Sequence, residues 1–231
     1  MTNIYIHIGL QKTGTTALQE LIFKNLDANY FRYINKEIFN NLFKDNKPVI
    51  WSNEDLSGVP HLIFDEKRRD SRFLIAKNLK VLFPKAKIIV GIRNPEKWID
   101  SIYRESVRQG LALNFDEFYR RFDKKNLDFD AYIKLLRELF PKVFVYKFED
   151  LKNDFDKAVK DICDFMEVCV PKYKNRILNR SLTDSQVKAF RSINRFFSKP
   201  GYNPDGKLPT WSRDIFWKFY NIIRKEDLYE K

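Results

Sequence analysis

The feature that most constrains the fold is a glycine loop between a short apolar strand and a helix, close to the start of the chain. Residues Ile4 to Ile8 have the composition of a β-strand that ends at Gly9, and a polar loop then runs to Gly14. From Thr15 onward, apolar residues recur every three or four positions, which predicts an amphipathic helix. A loop of this kind presents unpaired backbone N–H groups and the positive end of the helix dipole, so it indicates an anion-binding site.

Strands and helices alternate along the rest of the chain. Further strands are predicted at residues 30–34, 48–52, 86–92 and 143–148. Helices are predicted at 72–83, from 95 onward, and at 115–122, 129–139, 151–166, 184–197 and 211–224. Because several strands are apolar on both faces, the pattern favours an α/β fold with a mainly parallel central sheet flanked by helices. We expect one domain over residues 1–231, with its core in 1–197 and a C-terminal loop and helix in 198–231.

The charge of the chain favours an anionic partner. There are 43 Lys and Arg against 31 Asp and Glu, a formal net charge of +12, which suits nucleotides, acidic glycans, nucleic acids or anionic membranes. The basic residues are dispersed and no nucleic-acid-binding motif is present, so a nucleic-acid-binding protein is the weaker alternative and no nucleic-acid partner is expected.

The two cysteines and the hydropathy pattern indicate in which cellular compartment the protein is expected. Cys163 and Cys169 cannot form a disulfide framework and fit no familiar zinc spacing, so reduced thiols are expected. No apolar run approaches the length of a membrane span. The sequence therefore predicts a soluble, cytoplasmic protein with no integral membrane segment and no bound metal.

The glycine loop differs from the phosphate loop of kinases in the position of its lysine. Gly9 and Gly14 keep the spacing of G-x-x-x-x-G-K-[ST], but Thr15 stands where that loop has lysine, and Lys12 lies inside the loop. No convincing strand-end aspartate supplies a magnesium site, although Asp55 is a candidate. A kinase acting on a small molecule or nucleoside is therefore an alternative that the lysine position disfavours.

A second candidate phosphate-binding element follows the strand at 86–92. The strand ends at Arg93, Pro95 is suited to open a helix, and Ser101 lies about two turns further on. The planar guanidinium of arginine matches the geometry of phosphate oxygens. In a parallel sheet, Lys12 and Arg93 would lie at the same edge, where ligands bind in α/β folds.

Together these motifs resemble the sulfotransferases that use 3′-phosphoadenosine 5′-phosphosulfate (PAPS). Residues 12–16, with the sequence KTGTT, are similar to the family's phosphosulfate loop, and Arg93 with Ser101 is similar to its 3′-phosphate element. The resemblance implies a P-loop-NTPase-like sulfotransferase fold, PAPS as sulfuryl donor, and no metal requirement. It also implies a donor site made of Gln11, Lys12, Thr13, Gly14, Thr15, Thr16, Arg93 and Ser101.

Softer matches extend the resemblance over residues 4–197. Residues 146–151 are similar to the family's Y-E-D-L segment, in which Asp150 is expected to cap the following helix, and residues 179–182 are similar to a segment of bacterial members. The R-K-G loop of the cytosolic small-molecule enzymes is absent. Arg180, or Gly206 with Lys207, is a candidate replacement. The resemblance is greatest to soluble bacterial-type carbohydrate sulfotransferases, which implies a glycan or another hydroxylated acceptor.

Sulfuryl transfer needs a general base for the acceptor and a cation for the leaving group. Lys12 is expected to be the cation. Glu54 follows the strand at 48–52 and is the preferred base, with Trp51 as an apolar wall that would raise its pKa. Two histidines are rivals: His7 in the first strand, where the alternation favours a core residue, and His61 in a predicted loop.

A basic, aromatic-rich stretch after Ser101 has two interpretations. It contains Arg104, Arg108, Arg120, Arg121, Lys124 and Lys125. It is either a groove for an anionic or sugar acceptor or, as the pattern favours, a set of amphipathic helices with solvated basic faces.

Overall fold

A five-stranded parallel sheet carries the predicted site residues. The computed structural model describes residues 2–33, 38, 45–65, 71–174, 181–199 and 201–208. The strands are β1 (Ile4–His7), β2 (Asn29–Phe31), β3 (Val49–Ser52), β4 (Lys87–Ile92) and β5 (Lys142–Lys147), in the order β2-β3-β1-β4-β5. Every pair of neighbours is parallel. The predicted α/β architecture with a mainly parallel sheet is confirmed.

Helices follow the strands in the predicted order. They are α1 (Thr15–Ala17), α2 (Ser71–Leu82), α3 (Pro95–Gln109), α4 (Phe115–Arg121), α5 (Phe129–Leu139), α6 (Phe148–Asn153), α7 (Phe155–Met166) and α8 (Asp184–Asn194). The helix α1 continues as a π-helical segment, Leu18–Ile22, and a 3₁₀ turn, Phe23–Asn25. The predicted helix at 211–224 lies outside the described residues, as does Arg180.

The helix predicted at 151–166 is wrong in its bounds, because two helices occupy this region. The first, α6, begins directly after β5 and contains Asp150 in its first turn. Asp154 leaves the helical conformation and caps α7 by accepting a hydrogen bond from the Lys157 N–H over 3.0 Å. Asp150 therefore does not cap a helix, and Asp154 takes the role expected of it.

The described residues fall into two compact units. The first lies within Met1–Pro60, Asp70–Ser101 and Lys124–Arg180, and the second lies within His61–Arg69, Ile102–Asp123 and Ser181–Lys231. The single domain over 1–231 stays a prediction, since neither the boundary at 197 nor the predicted helix at 211–224 can be compared with these units.

The core of the first unit lies between the sheet and the helices that follow β1 and β5. Tyr5, Ile50 and Ile89 come from the strands, and Val159 and Ile162 come from one face of α7; all five are fully buried. Burial of each large aliphatic side chain contributes about 1.5–3 kcal/mol. This packing fixes the strand ends, and with them the loops that follow β1, β3 and β4.

The second unit is built around its own hydrogen bonds. Asn194 is fully buried, and its Nδ2 donates to the carbonyls of Val107 and Leu111 over 2.8 and 2.9 Å. Gly206 packs so tightly that a Cβ would overlap the backbone of Phe197. Of the segment predicted as a loop at 198–210, the described residues 198–199 and 201–208 contain no helix.

Candidate active site

The loop after β1 contains two residues with a left-handed backbone conformation, Lys12 and Gly14. Gly14 has φ 85° and immediately precedes α1. Lys12 has φ 67°, the left-handed conformation, which costs a non-glycine residue about 1–2 kcal/mol. Only Glu167 shares this feature among the non-glycine residues of the described ranges. Strain of this kind is retained where the surrounding structure over-determines the backbone, and it is common at functional sites.

Close packing explains why glycines occupy both ends of the loop. A Cβ on Gly9 would overlap Thr15 Oγ1, so the chain after β1 passes directly beside that hydroxyl. A Cβ on Gly14 would lie 3.1 Å from Leu151 and 3.5 Å from Phe148, at the start of α6. The segment at 146–151 therefore supports the loop.

The segment from β4 into α3 holds the loop by its backbone carbonyls. Arg93 Nη1 donates to the carbonyl of Lys12 over 3.3 Å, and Trp98 Nε1 donates to that of Gln11 over 2.7 Å. Trp98 is fully buried, and Ser101, one helical turn further along, is 4% exposed. The structure thus joins two motifs that lie about 80 residues apart in the chain.

Arg93 lies in a partly desolvated environment. Its guanidinium is 4.5 Å from the centroid of the Phe148 ring, a cation–π contact. Burial lowers the pKa of Arg93, and the negative charges of Glu149 and Asp100 oppose that shift. Glu149 Oε1 accepts a hydrogen bond from the Asn94 N–H over 3.1 Å, which holds the turn after β4.

Two buried donor atoms at this edge have no hydrogen-bond partner among the described residues. They are Thr15 Oγ1 and Arg93 Nε. Buried polar atoms in folded proteins are nearly always hydrogen-bonded, to protein, water or ligand. Both atoms lie where the sequence predicts an anion site.

His7 is a satisfied core residue, as the strand alternation predicts. It is fully buried, with Nδ1 2.7 Å from Ser52 Oγ and Nε2 3.0 Å from Tyr146 Oη. Burial lowers the pKa of His7 to about 3. Both ring nitrogens are engaged within the core, which disfavours His7 as the base.

Glu54 lies at the same edge of the sheet as the loop. It opens the 3₁₀ helix Glu54–Ser57 immediately after β3, and the Asn53 N–H donates to the His7 carbonyl over 3.2 Å at the end of β1. Glu54 is half-buried, and its charge raises the pKa of Tyr146 in addition to the larger effect of burial. The Trp51 ring packs against Phe31 and Phe83, so its effect on Glu54 stays a prediction.

His61, the other rival base, belongs to the second unit. Its ring stacks on Tyr202 with centroids 5.8 Å apart, and its carbonyl accepts a hydrogen bond from Ser106. Gly206 and Lys207 also lie in this unit, and their role in the donor site stays a prediction.

Part of the basic stretch is neutralised locally. Arg104 pairs with Asp184 at 2.8 Å, Arg108 pairs with Glu105 at 3.1 Å, and the Arg121 guanidinium lies over the Phe64 ring. Tyr103 packs against Phe115 and Phe118. These contacts favour amphipathic helices over an acceptor groove.

Within the described ranges, no cluster of His, Cys, Asp and Glu side chains is arranged to hold a metal ion. In the same ranges, no helix has the length and apolarity that a membrane crossing requires.

Trp98 and Phe148 are the site-supporting residues that sequence reasoning missed. Trp98 lies three positions before Ser101 on α3, so the two side chains share a helix face; this spacing was the available signal. Phe148 lies within the segment similar to Y-E-D-L, and its contact with Arg93 depends on the neighbouring ends of β4 and β5.

Comparisons with known proteins show the family and the fold of the chain. The family model described as the sulfotransferase domain matches residues 4–201. The crystal structure of a sulfotransferase from Alicyclobacillus acidocaldarius shares 18% identity with a TM-score of 0.52, covering 84% of this chain and 93% of that one. The sulfotransferase domain from the curacin biosynthetic pathway shares 13% identity with a TM-score of 0.44, covering 73% of this chain and 74% of that one. No curated protein sequence gives a significant match. The sulfotransferase family model covers most of the chain, and the parallel sheet and the loop after β1 have the architecture of that fold. This protein therefore belongs to the sulfotransferase family.

Proposed function

We propose that this protein transfers the sulfuryl group of PAPS to a hydroxyl or amine group of a carbohydrate acceptor. The observation that carries the proposal is the contact between two anion-binding elements, in which Arg93 and Trp98 bind the carbonyls of the glycine loop. A nucleotide with charged groups at both its 5′ and 3′ positions matches two such elements side by side. Membership of the sulfotransferase family supports sulfuryl rather than phosphoryl transfer.

The residues present fit this donor. Thr15 Oγ1 and Arg93 Nε are buried hydrogen-bond donors without a partner in the described ranges. Gly9 and Gly14 allow the backbone of the loop to approach an anion closely. When bound, PAPS supplies the transferable sulfuryl group and a phosphate that leaves with negative charge.

We assign the 5′ end of the donor to the loop after β1. Gln11 and Thr13 to Thr16 offer backbone N–H groups at the start of α1, where the helix dipole favours an anion, and Thr15 and Thr16 add hydroxyls. Lys12 provides a full positive charge that stabilises the leaving phosphate most strongly as its negative charge develops.

We assign the 3′-phosphate to Arg93 and Ser101. The Arg93 guanidinium is held in place by the Phe148 ring and by the Lys12 carbonyl, which leaves its Nε available to a phosphate oxygen. Arginine that is fixed in this way loses little side-chain entropy when it binds phosphate. Ser101 adds a hydroxyl from the same helix face as Trp98.

Glu54 is the proposed general base. Its carboxylate accepts the proton of the acceptor hydroxyl or amine as the new bond to sulfur forms. Its place after β3, beside the end of β1, supports this role. His7 is disfavoured by its burial and its two core hydrogen bonds.

The acceptor class and the compartment are proposed from resemblance, charge and cysteine content. The carbohydrate acceptor follows from the resemblance to bacterial carbohydrate sulfotransferases and from the net charge of +12. Two free cysteines, Cys163 buried and Cys169 exposed, support a cytoplasmic location.

A transfer assay with labelled PAPS tests the proposal over a panel of glycans, lipids and phenols. We expect transfer to a glycan, and we expect Glu54→Gln to reduce kcat by about 10²–10⁴-fold, the usual contribution of a general base. The matched control is Asp55→Asn, which removes the exposed neighbouring carboxylate and should leave kcat unchanged.

Three results would count against parts of this scheme. Full turnover by Glu54→Gln would remove Glu54 as the base. Transfer to phenols or lipids alone would replace the acceptor class. Thermal stabilisation by ATP with magnesium, without stabilisation by adenosine 3′,5′-bisphosphate, would favour the kinase alternative over sulfuryl transfer.

A further inference from the structure

A buried chain of polar side chains lies beneath the glycine loop, and the function proposed above does not use it. Its members are Gln19, Ser52, His7 and Tyr146, which come from four different elements and are 0–4% exposed. Gln19 Nε2 lies 3.0 Å from Ser52 Oγ. Ser52 Oγ in turn lies 2.7 Å from His7 Nδ1, and His7 Nε2 lies 3.0 Å from Tyr146 Oη.

The backbone carbonyl of Ser52 fixes the first hydrogen bond of this series, and the tautomer of His7 sets the direction of the others. Gln19 Nε2 also donates to the backbone carbonyl of Ser52 over 3.1 Å, and since a carbonyl only accepts, the amide orientation is set. Ser52 Oγ therefore accepts from Gln19, and since its own buried proton also needs an acceptor, the arrangement in which it donates to His7 Nδ1 is the satisfied one. A neutral His7 then carries its proton on Nε2 and donates to Tyr146 Oη.

The chain ends at the hydroxyls of the loop. Burial raises the pKa of Tyr146, and the hydroxyls of Thr13 and Thr15 oppose that shift. Thr13 Oγ1 donates to the Leu10 carbonyl over 2.5 Å, so its proton is committed. Thr15 Oγ1 is buried, and its hydrogen has no acceptor in hydrogen-bond geometry among the described residues. Because His7 donates to Tyr146, the Tyr146 proton points towards these threonines and the hydrogen of Thr15 is left for a ligand.

Two glycines make room for this arrangement. A Cβ on Gly91 would overlap Tyr146 Oη, and a Cβ on Gly9 would overlap Thr15 Oγ1 and lie 3.0 Å from His7 Nε2. The polar atoms thus meet where β4 and the loop after β1 carry no side chain. Any other residue at 9 or 91 would displace the hydroxyls from this contact.

We propose that His7 and Tyr146 are positioning residues of the donor site. The chain from Gln19 to Tyr146 directs the hydrogen bonds under the loop so that Thr15 presents its hydroxyl hydrogen to an anionic oxygen of the bound nucleotide. No proton is transferred along the chain, which acts as a fixed set of hydrogen bonds. The inference rests on the proposed function, because that function supplies the nucleotide.

Calorimetric binding of adenosine 3′,5′-bisphosphate tests the coupling between Tyr146 and Thr15. We expect Tyr146→Phe and Thr15→Val each to raise Kd about tenfold, the size of one hydrogen bond. The double variant should be no weaker than about tenfold, because both changes remove the same interaction. Tyr5→Phe is the control: it removes a buried hydroxyl that donates to the Met166 carbonyl over 2.7 Å, so it should lower Tm without changing Kd.

The tautomer of His7 tests the direction of these hydrogen bonds without any ligand. The protein contains two histidines, so His61→Gln assigns the ¹⁵N signals of His7 in the labelled protein. We expect the proton on Nε2 and a bare Nδ1, with no titration between pH 5 and 8.

The possible results distinguish a failure of the positioning role of His7 and Tyr146 from a failure of the proposed function. A proton on Nδ1 would reverse the chain and overturn the inference even if the nucleotide binds. Effects of Tyr146→Phe and Thr15→Val that multiply in the double variant, or a fall in Tm without a change in Kd, would reduce Tyr146 to a structural role. Failure of the wild-type protein to bind the nucleotide would overturn the proposed function, and with it the role given to Thr15.

Discussion

The cations at the two edges of the central sheet, that is, at the amino and the carboxyl ends of its strands, have different partners. At the amino edge, Tyr5 Oη donates to the Met166 carbonyl, and Lys87 pairs with Glu167 at 3.0 Å. At the carboxyl edge, Arg93 lies on the Phe148 ring and donates to a neutral carbonyl, and Thr15 Oγ1 and Arg93 Nε remain without partners in the described ranges. The cation of the amino edge, Lys87, thus has a carboxylate partner, whereas the carboxyl edge offers Thr15 Oγ1 and Arg93 Nε to an anion.

The pKa values of the two cations, Lys87 and Arg93, shift in opposite directions. Burial acts to lower the pKa of Lys87, but hydrogen bonds to Glu167 and Tyr5 raise it overall. Burial also acts to lower the pKa of Arg93, and there the carboxylates of Glu149 and Asp100 do not reverse the shift. A bound phosphate would supply the missing counter-charge at the carboxyl edge.

Removing one lysine from each edge should give the largest difference between the two edges in kcat and in Tm. We expect Lys12→Ala to lower kcat by about 10²–10³-fold, because developing charge on the leaving group loses its cation. Lys87→Ala should lower Tm and leave kcat unchanged. Lys12→Gly should be as inactive as Lys12→Ala but about 1 kcal/mol more stable, since residue 12 has a left-handed backbone. These effects are measured by steady-state kinetics and urea unfolding. Full turnover by Lys12→Ala would contradict the account.

The pH dependence of the free energy of unfolding also distinguishes the two edges, and this effect is smaller. The folded-state pKa of His7 is about 3, below its ordinary value of 6.5, so the unfolded chain binds this proton first as pH falls. Stability from neutral His7 is complete above pH 6.5 and is lost towards pH 3, with a slope of up to about 1.4 kcal/mol per pH unit. His7→Gln should flatten this slope between pH 6.5 and 5, as measured by urea unfolding.

The amino edge supplies the control for that measurement. Hydrogen bonding to Lys87 lowers the pKa of Glu167 below 4.5, so Glu167 stays ionised in the window from pH 6.5 to 5. Glu167→Gln should therefore leave the slope in that window unchanged. An unchanged slope in His7→Gln would mean that His7 is not held neutral by burial.

Local sequence patterns predicted the elements that carry the site, but not the contacts between them. The strand, loop and helix from Ile4 to Thr15, and the strand before Arg93, appear in the sequence as periodicity and turn chemistry. The break at Asp154 and the π-helical segment after α1 were missed. The apolar period continues through both of them, and tertiary packing decides where hydrogen bonding changes.

The support of the site was predicted least well. The bond from Trp98 to the Gln11 carbonyl, and the contact of Arg93 with Phe148, join segments that are distant in the chain. They exist because the ends of β1, β4 and β5 are neighbours, which is a property of the sheet order. The core position of His7 was predicted from alternation in the strand, whereas its partners Ser52 and Tyr146 lie on other strands.

The most direct test is a calorimetric comparison of adenosine 3′,5′-bisphosphate with AMP, which lacks the 3′-phosphate. The account predicts that the wild-type protein prefers the bisphosphate by about 10–100-fold, the size of a charge-assisted phosphate contact. It also predicts that Arg93→Gln loses most of this preference while AMP affinity changes little. Equal affinity of the wild-type protein for both nucleotides would contradict the assignment of the carboxyl edge as a two-phosphate site.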